Sequence, residues 1–200
     1  TARGAVERHR TLAATIDWSY DQLSAPEQAV FRRSSIFAGN FSLDAAEAVC
    51  AGGSVDEFEV LDLITALVDK SMLVPEEIHG GDMRYRLLES MRHYGSSRRS
   101  DEPDGDTIAE RHVAHFVTVG KTLQVTERAG QLGDALTQFG HDVDNIRGAL
   151  RFSIDNNRLD EAARIVGTVG YLWYVSGAFR EGVEWCRELF EMEPNLPDEV

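Results

Sequence analysis

The sequence predicts a mainly α-helical chain in two parts: a helical bundle closed by a small β-hairpin, then a series of paired helices. Three observations carry this. Residues Trp18 to Phe37 read as two helices joined by a capped break. Apolar periodicity then shifts from helical to strand-like spacing between Met72 and Leu88. From Ala163 a 34-residue frame fits a helix–turn–helix repeat.

Leu12, Ile16, Tyr20 and Leu23 recur on one face of a first helix. Ser24, Pro26 and Glu27 then form a capping box with proline in the first turn, where its missing donor costs nothing. The second helix places Val30, Phe31, Ser34, Phe37 and Ala38 on one side, with Arg32 and Arg33 opposite. Gly39 and Asn40 stop it, and Ser42 caps a short third helix, LDAAEAVCA, which Gly52 and Gly53 end. Ser54 and Glu57 spell a second capping box, ahead of a stripe of Phe58, Leu61, Ile64, Leu67 and Val68. A short apolar run at Met72–Val74, a turn at His79–Asp82 and a partly alternating stretch at Arg84–Leu88 make the hairpin. Hairpin after helical bundle is the order of a winged helix.

The ordered motifs SYDQL, FRRSSIF, LVDKSMLV and YRLLESMRHYG resemble the winged-helix domain that follows the ATPase core of STAND proteins. The closest resemblance is to actinobacterial transcriptional regulators that join an NB-ARC-type ATPase to this domain and to helical repeats. Some of those carry a cyclase-like domain in front or a LuxR-type DNA-binding element behind. The resemblance implies ATP or ADP in a module upstream of this chain and no cofactor within it. Relatives keep a histidine after the wing that reaches the bound nucleotide. Aligning YRLLESMR there places Leu87, Leu88 and Glu89 at the motif, and Leu88 cannot make that contact.

Gly95–Gly105, polar and rich in breakers, reads as a linker. The expected organisation is a winged-helix domain over 1–95, a linker over 96–106 and helical repeats over 107–200, clearest at 163–196. Ile108, His112, His115, Phe116 and Val119 share a helical face. His112 and His115 beside Glu110 have a metal-compatible spacing but no third ligand, so they read as packing histidines. Further helices carry Leu132, Leu136 and Phe139, then Val143, Ile146 and Leu150. The 34-residue frame is that of the tetratricopeptide repeat, with Val166, Val169, Gly170 and Trp173 on its first helix and Gly182, Cys186, Leu189 and Pro194 on its second. Gly170 and Gly182 are expected to let the helices approach, Trp173 to fill the space between them, and Gly177 to form the turn. By the repeat's geometry the partner-facing residues are Arg164, Gly167, Tyr171, Tyr174 and Val175.

The net charge is −14, with −4 in residues 1–100 and −10 in the remainder. Such an acidic balance predicts no direct nucleic-acid contact, since phosphate neutralisation supplies most non-specific affinity. The acids and alanines of LDAAEAVCA, taken as the groove-entering helix, point the same way. No run reaches the ~20 apolar residues of a membrane span. Cys50 and Cys186 read as buried free thiols of a cytoplasmic protein. There is no phosphate-binding loop, no H-E-x-x-H and no G-x-S-x-G, so no catalytic or metal site is expected.

Beginning TARGAVERHR and stopping at LPDEV, the chain reads as a piece of a longer protein. The expected function is the non-catalytic regulatory portion of a STAND-type transcriptional regulator. Its winged helix would dock on the ATPase module, and its repeats would receive a protein or small-molecule inducer. The alternative is a stand-alone helical-repeat adaptor.

Overall fold

The computed structural model describes residues 13–78, 81–100 and 105–192. The chain divides at His112–Val113 into two compact units.

The first unit is a winged helix. Helix α1 occupies residues 13–21 and buries Ile16 and Tyr20, while Leu12 lies outside the described residues. Helix α2, Ala25–Ser34, begins as the sequence predicts. The Ser24 side chain accepts from Glu27 N, and the Glu27 carboxylate accepts from Ser24 N at 2.7 Å. That box satisfies two orphan donors of the first turn. Burial would raise the Glu27 pKa, but hydrogen bonds from Lys70 and Ser24 outweigh it and hold the carboxyl below its usual range. The helix stops at Ser34, earlier than Gly39–Asn40 suggest, because the Ser35 N–H turns back to Arg32 O. Phe37 therefore enters the core from the following loop and stacks on Phe41 at 4.3 Å. Ala38, expected to be buried, is exposed.

Strand β1, Phe41–Ser42, was not legible at two residues. It leads into α3, Leu43–Cys50, capped by the Ser42 hydroxyl as expected. A 3₁₀ turn, Glu57–Glu59, precedes α4, Val60–Asp69. Its cap is Asp56, which accepts from Phe58 N, so the expected Ser54–Glu57 box is replaced. The 3₁₀ turn rotates the helix face relative to an uninterrupted 3.6-residue period. Val60, Ile64 and Leu67 are buried as a result, whereas Phe58 is 91 % exposed and Leu61 44 %. Strands β2, Val74–Glu77, and β3, Met83–Arg86, form the wing, and β3 also pairs antiparallel with β1 to give the sheet order β1-β3-β2. His79 and Gly80 of the expected turn lie outside the described residues; Gly81 has φ +86.

Helix α5, Glu89–Ser100, corrects the linker reading, since residues 96–100 are helical; 101–104 lie outside the described residues. Gly95 is a packing glycine here. A Cβ on it would lie 3.0 Å from Ser35 Cβ, so only glycine lets α5 approach α2 this closely. Tyr94 then meets Tyr20 and Phe31 at ring separations of 5.5 and 6.4 Å, and its hydroxyl donates to Asp17 at 2.5 Å.

Helix α6, Gly105–Arg128, contains the division between the units. Within the second unit, α7 (Leu132–Asp155), α8 (Leu159–Val175) and α9 (Phe179–Met192) pack in sequence order, α7 on α8 and α8 on α9. Their connections use positive φ at Asn157 (+56) and Gly177 (+86). Trp173 is fully buried and meets Phe139 edge-on at 5.8 Å. A Cβ on Gly182 would lie 3.2 Å from Trp173 Cβ, so this glycine permits the close approach. Gly170 does not have that role, because a Cβ there would meet nothing within 4 Å. Pro194 lies outside the described residues. No helix among the described residues is long and apolar enough to cross a membrane.

Candidate interaction surfaces

In the first unit, the helix immediately preceding the wing is α4, and LDAAEAVCA is the helix before it. The groove-entering helix of a winged domain is therefore Val60–Asp69, a correction to the sequence reading. Its outward residues are Leu61, Asp62, Thr65 and Asp69, with Phe58 ahead and Lys70 behind. Lys70 donates to both Glu27 carboxylate oxygens, at 2.6 and 2.7 Å. On the wing Arg86 pairs with Glu76, which its guanidinium holds below the usual carboxylate range. Arg84, nearly buried, donates to Asn40 Oδ1 at 2.7 Å.

A cleft of about 680 Å³ opens where α3 gives way to α4. Glu47, Asp56, Glu57, Glu59, Phe58 and Arg111 line it. Two guanidiniums close the C-terminal end of α3 beside it. Arg33 donates to Cys50 O at 2.7 Å and Gly52 O at 2.8 Å, and Arg111 donates to Ala51 O. Cys50 O ends α3 with no intrahelical donor, at the negative end of the helix dipole, where cations are favoured; Gly52 O, just beyond the helix, also accepts from Val55 N at 3.2 Å. Arg33, expected on the solvent face, is consequently 8 % exposed. Sequence periodicity missed it because an arginine is read as surface by default. Cys50 is fully buried, and burial pushes its thiol up to about 11. Cys186, expected to be buried, is only partly so.

In the second unit, Arg164, Gly167, Tyr171 and Tyr174 are exposed along α8 and Val175 is half-buried. Tyr171 and Tyr174 stack at 6.3 Å with their planes 28° apart, and Tyr174 meets Phe179 edge-on at 6.0 Å. Phe179 was not singled out from the sequence and joins this patch because the Gly177 turn brings the start of α9 back beside α8. His112 is 2 % exposed and lies against Phe37 at 5.4 Å, whereas His115 meets Phe116 edge-on at 5.0 Å.

Comparison with known proteins bears on the first unit and on most of the chain. Residues 23–100 match the family described as Winged helix-turn-helix domain. The winged-helix fold of the first unit agrees with that match. The chain is 36 % identical over 94 % of its length to the Mycobacterium tuberculosis (strain ATCC 25618 / H37Rv) protein named "Putative HTH-type transcriptional regulator Rv0890c". A Mycobacterium bovis protein, "Putative HTH-type transcriptional regulator Mb0914c", has the same identity and coverage. Both are much longer, and the chain spans 21 % of each. A further M. tuberculosis protein, "Uncharacterized protein Rv0894", is 39 % identical over 58 % of the chain and 29 % of its own length. No solved structure gives a significant match.

These matches overturn the expectation of no direct nucleic-acid contact. Net charge sums over an entire surface, whereas a winged helix-turn-helix engages DNA through a few side chains of one helix and the wing. Overall acidity is therefore a poor guide to that one face.

Proposed function

We propose that this chain is the regulatory portion of an HTH-type transcriptional regulator of the STAND type. In this reading the winged helix-turn-helix is a DNA-directed element that also abuts a nucleotide-binding module carried elsewhere in the full-length protein. The paired helices behind it receive a partner or inducer on Arg164, Gly167, Tyr171, Tyr174 and Val175. Inducer binding would shift the regulator between two states by its differential affinity for them. The observation that supports this best is the wing-and-helix topology of residues 23–100, within a chain that aligns over 94 % of its length with 21 % of a protein named as a regulator. The exposed, mutually stacked Tyr171 and Tyr174 supply large amphipathic contact area of the kind interfaces favour.

The test is fluorescence anisotropy of this chain on labelled duplex DNA as salt is raised. Most cations near α4 and the wing are already engaged, as in Lys70–Glu27 and Arg86–Glu76. Binding is thus expected to be weak at physiological salt, with a shallow slope of about −1 to −2 in log K against log salt, at ~0.9 per phosphate. Glu76→Ala, which releases Arg86 from its carboxylate, should steepen the slope by about one phosphate's worth. Salt-insensitive anisotropy, or an unchanged slope in Glu76→Ala, refutes the DNA-directed role. Unchanged inducer binding by Tyr171→Ala and Tyr174→Ala would remove the assignment of the α8 face.

A further inference from the structure

The exposed face of α8 continues onto α6, and the two helices together present cations that have no carboxylate to meet. Gly120 of α6 lies against α8, where a Cβ on it would collide with the Thr168 hydroxyl. One turn further on, the Gln124 side-chain amide reaches the Gly167 carbonyl at 3.4 Å. Lys121 and Arg128 flank Gln124 at spacings of three and four, so the three form one stripe beside the exposed α8 face. That stripe adds two cations to Arg164.

The arginines of α7 and of its turn into α8 are neutralised within the unit. Arg147 pairs with Asp144 and Glu181, Arg151 with Glu188, and Arg158 with Glu161. Lys121, Arg128 and Arg164 are exposed and have no ion pair among the described residues. The acids near them are Asp160, exposed in the first turn of α8, and Glu127, half-buried on α6. The face is therefore cationic within a half of the chain whose net charge is −10. Beside the cations stand the rings, with Tyr171 stacked on Tyr174 and Phe179 edge-on to it. From Arg164 to Tyr174 is about 15 Å along the helix, at ~1.5 Å per residue. A small molecule does not bridge that length, whereas about five residues of extended chain do, at ~3.3 Å each.

We propose that the α6–α8 face binds an extended, acidic segment of another protein, with carboxylates on Lys121, Arg128 and Arg164 and an aromatic residue or proline on Tyr171 and Tyr174. This rests on the reading of α8 as the partner-receiving face and gives that partner its chemistry. At physiological salt the Debye length is about 8 Å, so these exposed cations decide what docks, and not the summed charge of the chain. A peptide confines its carboxylates to the residues opposite the cations. A nucleic-acid strand carries a charge on every nucleotide and would also set phosphates against Asp160.

Selection of a phage-displayed random dodecapeptide library on this chain, followed by fluorescence anisotropy of the enriched peptides, tests the proposal. Enriched peptides should carry clustered acids about four to five residues from an aromatic residue or proline. Their binding should weaken about tenfold in Arg164→Glu, by a similar factor in Tyr171→Ala, and further as salt is raised. Both substituted side chains are exposed, and an unchanged circular-dichroism melt shows that the fold is kept. Neutral or basic peptides that are lost in Tyr171→Ala overturn the acidic partner while leaving α8 as the receiving face. No enrichment, or enrichment indifferent to both substitutions, overturns the partner and the face together. Tighter binding of labelled oligothymidylate than of any peptide overturns the proposal in favour of a nucleic-acid strand. Acidic peptides that bind only a chain ended at Met192 overturn the choice of another protein and hand the face to Glu193, Asp198 and Glu199 of the chain itself.

Discussion

Arg33→Ala is the substitution on which sequence and tertiary structure disagree most. Periodicity puts Arg33 on the outer face of α2, where truncation alters stability by at most about 0.5 kcal/mol. In the fold its guanidinium is buried and donates to Cys50 O and Gly52 O at 2.7 and 2.8 Å. Hydrogen bonds involving a charged group contribute about 1.5–3 kcal/mol each, less the cost of desolvating the cation. Truncation also strips Cys50 O, at the negative end of α3, of its guanidinium donor, whereas Gly52 O keeps the Val55 N–H. The expected net loss is about 3 kcal/mol, or roughly 10 °C or more in the melting temperature of a unit this size. Arg33→Lys, which cannot span both carbonyls as a fork, should lose about half of that. The assay is urea and thermal unfolding by circular dichroism, with amide exchange across Leu43–Cys50 as the local readout. Arg32→Ala is the control, because Arg32 is only half-buried and donates to Tyr20 Oη. A melting shift for Arg33→Ala below about 2 °C, or no larger than that of Arg32→Ala, refutes the capping argument.

Glu27→Gln should destabilise by about 1–2 kcal/mol, since it weakens the capping box and removes the charge facing Lys70. The Glu27 pKa is lowered in the fold from an ordinary value of 4.5, so its contribution is complete above that value and is lost as pH falls through the lower folded pKa. Acid unfolding of Glu27→Gln should accordingly be less pH-dependent than that of the unmodified chain. Gly182→Val is expected to cost about 1–3 kcal/mol by driving a side chain into Trp173, while Gly170→Ala should be neutral or slightly stabilising, and chemical denaturation separates the two. A thiol reagent at pH 8 should label Cys186 in the native chain and reach Cys50 only on unfolding, because Cys50 is buried and its thiol is held near 11.

The sequence reported best where one local signal decides the structure. The Ser24–Glu27 box, the Ser42 cap, the hairpin and the Gly177 turn each depend on residues within a few positions of one another, and each appears where its signal lies. Errors arose where a remote partner decides. Gly95 reads as a breaker until α2 is placed against it. Arg33 looks like a solvent cation until the α3 carbonyls are found beside it. Phe58 and Leu61 were assigned to the core by a helical period that the 3₁₀ turn interrupts. The charge argument failed for a related reason, because composition averages over faces that binding treats separately.

The sequence by itself determined the starts of α2 and α3, the place of the hairpin, and many of the apolar residues that each helix buries. These follow from hydrogen-bond satisfaction and periodicity over one or two turns, which no distant contact has to supply. Only the tertiary structure decided that β1 completes the sheet, that Arg33 is buried against the end of α3, and that α5 closes on α2 at Gly95. Those facts depend on which surfaces the packed chain consumes, and that is fixed by contacts between residues far apart in sequence.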